Sequence, residues 1–344
     1  MAQDPPVEDP PAEPEQSIEA RLIERGVALL KTKQKSDGSW QRDAGTTAFC
    51  LYALAHAGLD REDPAFLRGL SWLLANLVRP GTYSTSLTIM ALFTLDPVLH
   101  KKRITRLADL LARGQCENGQ WSYKLKRGRA GGDNSNTQFA LIALWYARRA
   151  GAEIDRGVFG KSLAYYLQTQ NEDGGWGYSA KERAKSYGSM TATGLAAILI
   201  SRAAVTRRKV ADLAGKREPG EAAALKWLAE HLSLDRNPEA TFRLGGGQGR
   251  ARKVITDSFW RHYWLWSLER AMAAAGVSKL GERDWYAEGV KHLEESIRDD
   301  GSWVGSESPL QATGFAVLFL SRAMRKAVAT EKAEPIGPVT PEPR

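Results

Sequence analysis

Residues 34–40 read QKSDGSW, and the same shape returns at 115–121 (QCENGQW), 170–178 (QNEDGGWGY) and 298–303 (RDDGSW). Each segment closes a helical stretch, makes a polar turn containing glycine, and delivers a tryptophan. A helix of small apolar residues follows each one. A unit that recurs in this way is a supersecondary repeat whose apolar face is buried only by its neighbours. The aspartates and asparagines suit tight turns, and the glycine supplies positive φ. We read Trp40, Trp121, Trp176 and Trp303 as structural, packed between adjacent hairpins.

Two further junctions lack the full pattern. In RPGTYSTS (79–86) a tyrosine replaces the tryptophan, and in FRLGGGQGRARKVITDS (242–258) the turn has grown. The junctions define six helix pairs. The first helices fall near 17–33, 64–78, 103–114, 158–170, 220–232 and 284–297 and are amphipathic, as in IEARLIERGVALLK. The second helices fall near 46–58, 84–95, 135–150, 190–204, 257–275 and 310–323 and are apolar all round, as in SMTATGLAAILISRA. Helices of the second kind belong inside. The spacing therefore predicts an all-α fold, an α/α toroid of about six helical hairpins with an inner and an outer ring.

The 344 residues are 43% hydrophobic, enough for one large domain or two small ones. The organisation we expect is an acidic, Pro-rich tail over 1–16, one toroid over 17–325, and a second tail over 326–344. No apolar run is read as a transmembrane segment. As written the chain has no signal pattern and would be cytoplasmic, or extracytoplasmic if a signal peptide precedes Ala2-Gln3-Asp4. Two cysteines, Cys50 and Cys116, exclude a disulfide framework, and no metal site and no cofactor are expected. Setting aside the six acids of residues 1–20, the net charge of +8 leaves a remainder of about +14. That balance favours an anionic partner. No recognition motif points to nucleic acid.

Together the four segments resemble the QW-type repeats of the squalene–hopene cyclase and protein prenyltransferase superfamily, over about residues 17–325. The likeness looks closest to the bacterial single-toroid prenyltransferase and squalene oxidase repeat proteins, which are terpene-cyclase-like. DNSNTQFALIALW, YWLWSLERA and DWYAEGVKHL carry it. In class II terpenoid cyclases of this superfamily, an aspartate in D-x-D-D protonates an alkene. The matching residues here are Asp133, Asn134, Ser135 and Asn136, so serine stands at the donor position, and a serine hydroxyl is far too weak an acid. The zinc ligands of the prenyltransferases would fall on Val254, Thr256 and Ala312, none of which has a side chain of the zinc-binding kind. No segment matches the G-C-G-E-Q of thioester toroids.

What remains to carry chemistry lies on one rim, because every such turn joins an outer helix to an inner one. Residues 124–132 (KLKRGRAGG) bring Lys124, Lys126, Arg127 and Arg129, and residues 243–253 bring Arg250, Arg252 and Lys253. Glycine-rich basic loops that run into helix N-termini suit phosphate or carboxylate ligands. Asp133 and Asp257 begin inner helices on the same rim. They read as N-caps, or as a carboxylate pair facing the axis, with His262 as a base. The fifth inner helix, SFWRHYWLWSLERA, carries aromatics on several faces, and Trp260 and Trp264 with Trp145 are expected to line a hydrophobic cavity. Three functions stay open. One is a toroid that binds an isoprenoid or anionic small molecule or a protein partner. The second is a divergent terpenoid cyclase-like enzyme, a lyase or isomerase. The third is a glycan-acting α/α barrel.

Overall fold

In a computed structural model, the residues described are 16–77, 81–126, 128–179, 185–213, 215, 217–244, 253–255 and 259–333. Six outer helices alternate with six inner ones. The outer helices are α1 (Ile18–Thr32), α3 (Pro64–Asn76), α5 (Lys101–Arg113), α7 (Arg156–Thr169), α9 (Pro219–Glu230) and α11 (Trp285–Ser296). The inner helices are α2 (Ala44–His56), α4 (Thr82–Leu95), α6 (Asn134–Arg149), α8 (Gly188–Val205), α10 (Arg261–Ala275) and α12 (Pro309–Leu320). Neighbouring inner helices pack in chain order, and α12 returns to α2, so the inner ring closes. This is the all-α toroid that the spacing predicts.

The two helix types follow from their faces. In α5 the buried residues are Ile104, Leu107, Ala108 and Leu111, one stripe at helical spacing. In α6 every residue from Asn134 to Ala147 is buried. Small residues let inner helices meet large rings: a Cβ on Gly194 would lie 2.4 Å from the Trp176 ring, and one on Gly314 would lie 2.3 Å from Phe49. α8 has the length and apolar composition of a membrane span, which the sequence reading missed. In the fold it is an inner-ring helix with most of that window buried.

The repeated turn is a staple with one geometry. The indole Nε1 of Trp40, Trp121, Trp176 and Trp303 donates to Leu30, Leu111, Tyr166 and Leu293 O, each in the outer helix just completed. Each tryptophan amide then meets a threonine hydroxyl of the inner helix that follows, from Thr47, Thr137, Thr191 and Thr313. The turn glycines adopt positive φ and sit on the backbone of the next outer helix. A Cβ on Gly119 would lie 2.5 Å from Lys161 O, and one on Gly301 would lie 2.7 Å from Arg25 O. The last of these contacts lands on α1 and closes the outer ring. Gln34, Gln115 and Gln170 add a bridge from their own turn to the following outer helix. In the sixth hairpin Ile297 stands there, and α1 supplies Arg25 to Arg298 O at 2.6 Å.

Two expectations need correction. The chain does not leave the fold at 326. It continues as α13 (Ala323–Ala333), which lies across the C-terminal ends of the inner helices. There Glu331 accepts from Trp145 Nε1 at 2.8 Å and from Val210 N at 3.0 Å, and Arg149 donates to Ala327 O. The fifth inner helix begins at Arg261 rather than 257, because Trp260 is left-handed (φ 49°). Within the grown turn, Phe242–Leu244 pairs antiparallel with Lys253–Ile255.

Candidate functional site

The inner helices all start at one face of the toroid, and the segment GGDNSNTQ (131–138) organises it. Asp133 N donates to Trp121 O at 3.0 Å, which ties α6 to its own tryptophan turn. Gly132 permits that approach, since a Cβ there would lie 1.8 Å from Trp121 O. The Asp133 carboxylate then caps α6, accepting Asn136 N and Asn136 Nδ2 at 2.8 Å each. Burial raises its pKa, while the bonds from Asn136 and the Tyr178 hydroxyl pull the other way. Asn134 locks the next turn: its amide donates to Tyr178 O and its Nδ2 to Gly177 O, while Gln120 donates to its Oδ1.

Ser135, at the position of a cyclase acid, points at two phenols. Its hydroxyl lies 2.9 Å from Tyr83 OH and 2.9 Å from Tyr263 OH, and Gln138 Nε2 donates to Tyr263 OH at 3.0 Å. The Tyr83 ring meets Tyr123 and Phe139 edge-on, and the Tyr123 and Tyr178 hydroxyls are 3.1 Å apart. A phenol network therefore spans α4, α6 and α10 and the turns between them. Its outer members Tyr123 and Tyr178 are exposed, as is Trp260, whose ring stands 6.0 Å from Tyr263, and so are Lys124, Lys126 and Arg129 on the turn before α6. Tyr83, Tyr123 and Tyr178 are not among the candidate residues of the sequence, and Tyr263 stands there only within the aromatic run of the fifth inner helix. They come from four separate segments, and no local pattern joins them.

Among the described residues, His262, Trp264 and Trp145 do not join Asp133. Arg127, Arg250, Arg252 and Asp257 lie outside the described residues, as does the Lys253 side chain, so the Asp133–Asp257 pair of the glycan reading has only its first member in view. His262 is fully buried with its Nδ1 3.7 Å from the Glu307 carboxylate. Glu307 takes the capping role expected of Asp257: one oxygen accepts His262 N at 3.0 Å and Tyr263 N at 3.2 Å. Burial opposes ionisation of Glu307, but His262 and these amides outweigh it and hold its pKa low. Trp264 turns outward and donates to Ser233 O, and Trp145 sits at the far end of α6 under α13.

Of the aromatic run in the fifth inner helix, Tyr263 and Trp266 are the rings that reach the axis. Trp266 stands 5.1 Å from both Phe139 of α6 and Phe315 of α12, helices on opposite sides of the ring. Phe49 of α2 packs on Phe315 at 4.7 Å. Aromatic rings therefore meet across the axis at this level. Below them the buried Arg270 guanidinium lies on the Trp266 ring, and the Tyr52 and Tyr146 hydroxyls are 3.3 Å apart. Burial lowers Arg270 to about 10 and raises the neighbouring Glu269 to about 7. Among the described residues no group of three or more His, Cys, Asp or Glu could hold a metal, and both cysteines are buried and free.

No family model matches the chain, and no curated protein matches its sequence. A solved structure does: a single-residue variant of the type II terpene cyclase MstE from Scytonema, in complex with merosterolic acid A, its product. The match covers 91% of this chain and 97% of that one, with a TM-score of 0.54 and 14% sequence identity. At that identity the likeness speaks to the fold: this chain is an all-α toroid of terpene-cyclase-like architecture.

Proposed function

We propose that this protein binds an anionic amphiphile of the short-chain prenyl diphosphate class at the tyrosine-lined face of the toroid. The observation that carries the reading is one surface where the exposed rings of Tyr123, Tyr178 and Trp260 accompany the exposed cations Lys124, Lys126 and Arg129. Flat aromatic faces hold an apolar chain, while cations and the adjoining helix N-termini hold a phosphate. The fold adds support, since the solved neighbour is a terpene cyclase carrying its product. Binding without cyclisation is the better reading, because Ser135 stands where a cyclase needs a strong acid and aromatic rings meet across the axis.

A second reading keeps Asp133 as a proton donor in a divergent cyclase. Its favouring observation is that burial raises the Asp133 pKa within reach of the phenol network. Titration of the full-length protein with geranyl and farnesyl diphosphate, followed by calorimetry and product analysis, tests both. Binding that weakens about tenfold or more in Tyr123→Ala and in Lys124→Glu/Arg129→Glu supports the binding reading. A new hydrocarbon product that disappears in Asp133→Asn transfers the case to the enzyme. Absence of binding for both diphosphates removes the isoprenoid class.

A further inference from the structure

The opposite face, where the inner helices end, carries a feature that the tyrosine-lined face does not explain. The turn from α4 to α5 reads Asp96-Pro97-Val98-Leu99-His100. Val98 is 84% exposed and Leu99 is 74% exposed. The turn holds them there: the Asp96 carboxylate accepts Val98 N at 2.9 Å and Leu99 N at 2.8 Å, and His100 N donates to Asp96 O at 3.1 Å. Two neighbouring aliphatic side chains are thus pinned in water by a carboxylate already committed to main-chain amides.

A run of cations follows this tip. Lys101, Lys102, Arg103 and Arg106 follow it on α5, all exposed, and no acid occurs between Asp96 and Asp109. Asp109 is itself paired with Arg113. A groove of about 390 Å³ beside the tip is lined by Leu99, His100, Lys102, Arg103 and Arg106. Its size and single-sign lining suit the phosphate of a lipid headgroup.

We infer that this corner docks the toroid onto an anionic phospholipid bilayer, with Val98 and Leu99 entering the interfacial layer and the α5 cations on the lipid phosphates. A protruding pair of aliphatics flanked by like charges is the composition of an interfacial anchor. A protein-binding patch needs a broader apolar core than two residues provide. Docking at this face turns the tyrosine-lined face toward water, where a soluble short-chain diphosphate would reach it. The inference does not depend on that ligand.

The test is co-sedimentation of the full-length protein with phosphatidylcholine vesicles, with and without about a third phosphatidylglycerol. The expected result is pelleting with anionic vesicles that falls as salt rises. Val98→Asp/Leu99→Asp and Lys101→Glu/Lys102→Glu/Arg103→Glu should each reduce it about tenfold or more while thermal melting stays put. A lipid site also keeps its vesicle affinity in millimolar inorganic phosphate, whereas displacement by phosphate would reassign the groove to a free anion. Failure to pellet at low salt, equal pelleting with neutral vesicles, or indifference to both variants overturns the inference. So does self-association in sedimentation velocity that the Val98→Asp/Leu99→Asp change abolishes without any vesicle binding.

Discussion

Inner helices α6 and α10 both begin beneath a carboxylate, and they obtain it by different routes. α6 carries its own: Asp133 is the residue before the helix, and it bonds three residues on to Asn136 N. α10 borrows one from the chain that leads into α12, where Glu307 reaches back to His262 N and Tyr263 N. The backbone shows the cost of the second arrangement. Trp260 is left-handed, a conformation that costs a non-glycine residue about 1 kcal/mol or more, and its amide is held by Ser306 Oγ at 2.8 Å. The self-capped start faces the phenol network and can serve a ligand. The borrowed carboxylate is buried beside His262 and serves the ring, although Trp260 before the helix is exposed at the same face.

The comparison breaks most visibly at Glu307. Glu307→Ala would leave two helix amides without their acceptor and remove the carboxylate 3.7 Å from the buried His262 ring, and we expect a loss of about 3–4 kcal/mol in urea unfolding. A cost under about 1 kcal/mol would mean that α10 has another cap. The next largest effect is at Gly132. In Gly132→Ala the new methyl would meet Trp121 O, a backbone atom, so the turn must shift; about 2–3 kcal/mol is expected in the same assay. A neutral Gly132→Ala would show that α6 does not need its tie to the tryptophan turn.

The same contrast explains what the sequence disclosed. The Trp40, Trp121, Trp176 and Trp303 turns are local, since each indole bonds within the hairpin that carries it, so their repetition exposed the ring before any coordinates. Asp133 was legible for the same reason. The start of α10 was not, because its cap comes from the chain 45 residues away. Nor was the choice of Trp266 over Trp264 as the axial ring, since both lie in one aromatic run and only neighbouring helices separate their faces. α13 was hidden by composition: a charged stretch running toward prolines reads as a tail until Trp145 and Val210 are seen to bond Glu331. The tyrosines around Ser135 share no spacing at all.

Glu269 sharpens the comparison, because it is a second borrowed cap: its carboxylate accepts Met324 N and Arg325 N at the start of α13. Burial raises its pKa from 4.5 to about 7. Between those values the folded state holds a proton that the unfolded chain releases. The contribution is therefore complete below about pH 4.5 and is lost as pH rises through about 7. Gln at this position cannot titrate but can still accept from the amides. We expect the stability of the wild type relative to Glu269→Gln to fall by about 2 kcal/mol between pH 5 and 8 in paired urea titrations. A difference that stays level with pH would mean that the Glu269 proton plays no part in seating α13.

The smallest expected effect is the one that bears most on function. Asparagine caps a helix nearly as well as aspartate, so Asp133→Asn should cost under about 1 kcal/mol, and Asp133→Ala about 1–2 kcal/mol. Asparagine keeps an oxygen for Asn136 N but has no acidic proton, and its amide cannot accept from Asn136 Nδ2 and Asn136 N as two ionised oxygens do. Stability thus reads the cap, and chemistry reads the acid. If Asp133 is a cap beside a ligand surface, Asp133→Asn binds prenyl diphosphate within about threefold of the wild type, and calorimetry of the two proteins is nearly superimposable. If Asp133 supplies a proton, the variant keeps its fold and its ligand and loses its product. Ser135 joins the phenols of Tyr83 and Tyr263, while Asp133 meets the phenol network through the Tyr178 hydroxyl, so a donated proton would leave by that phenol. Tyr178→Phe in the same product assay would then cut turnover as Asp133→Asn does, while leaving a purely capping Asp133 untouched.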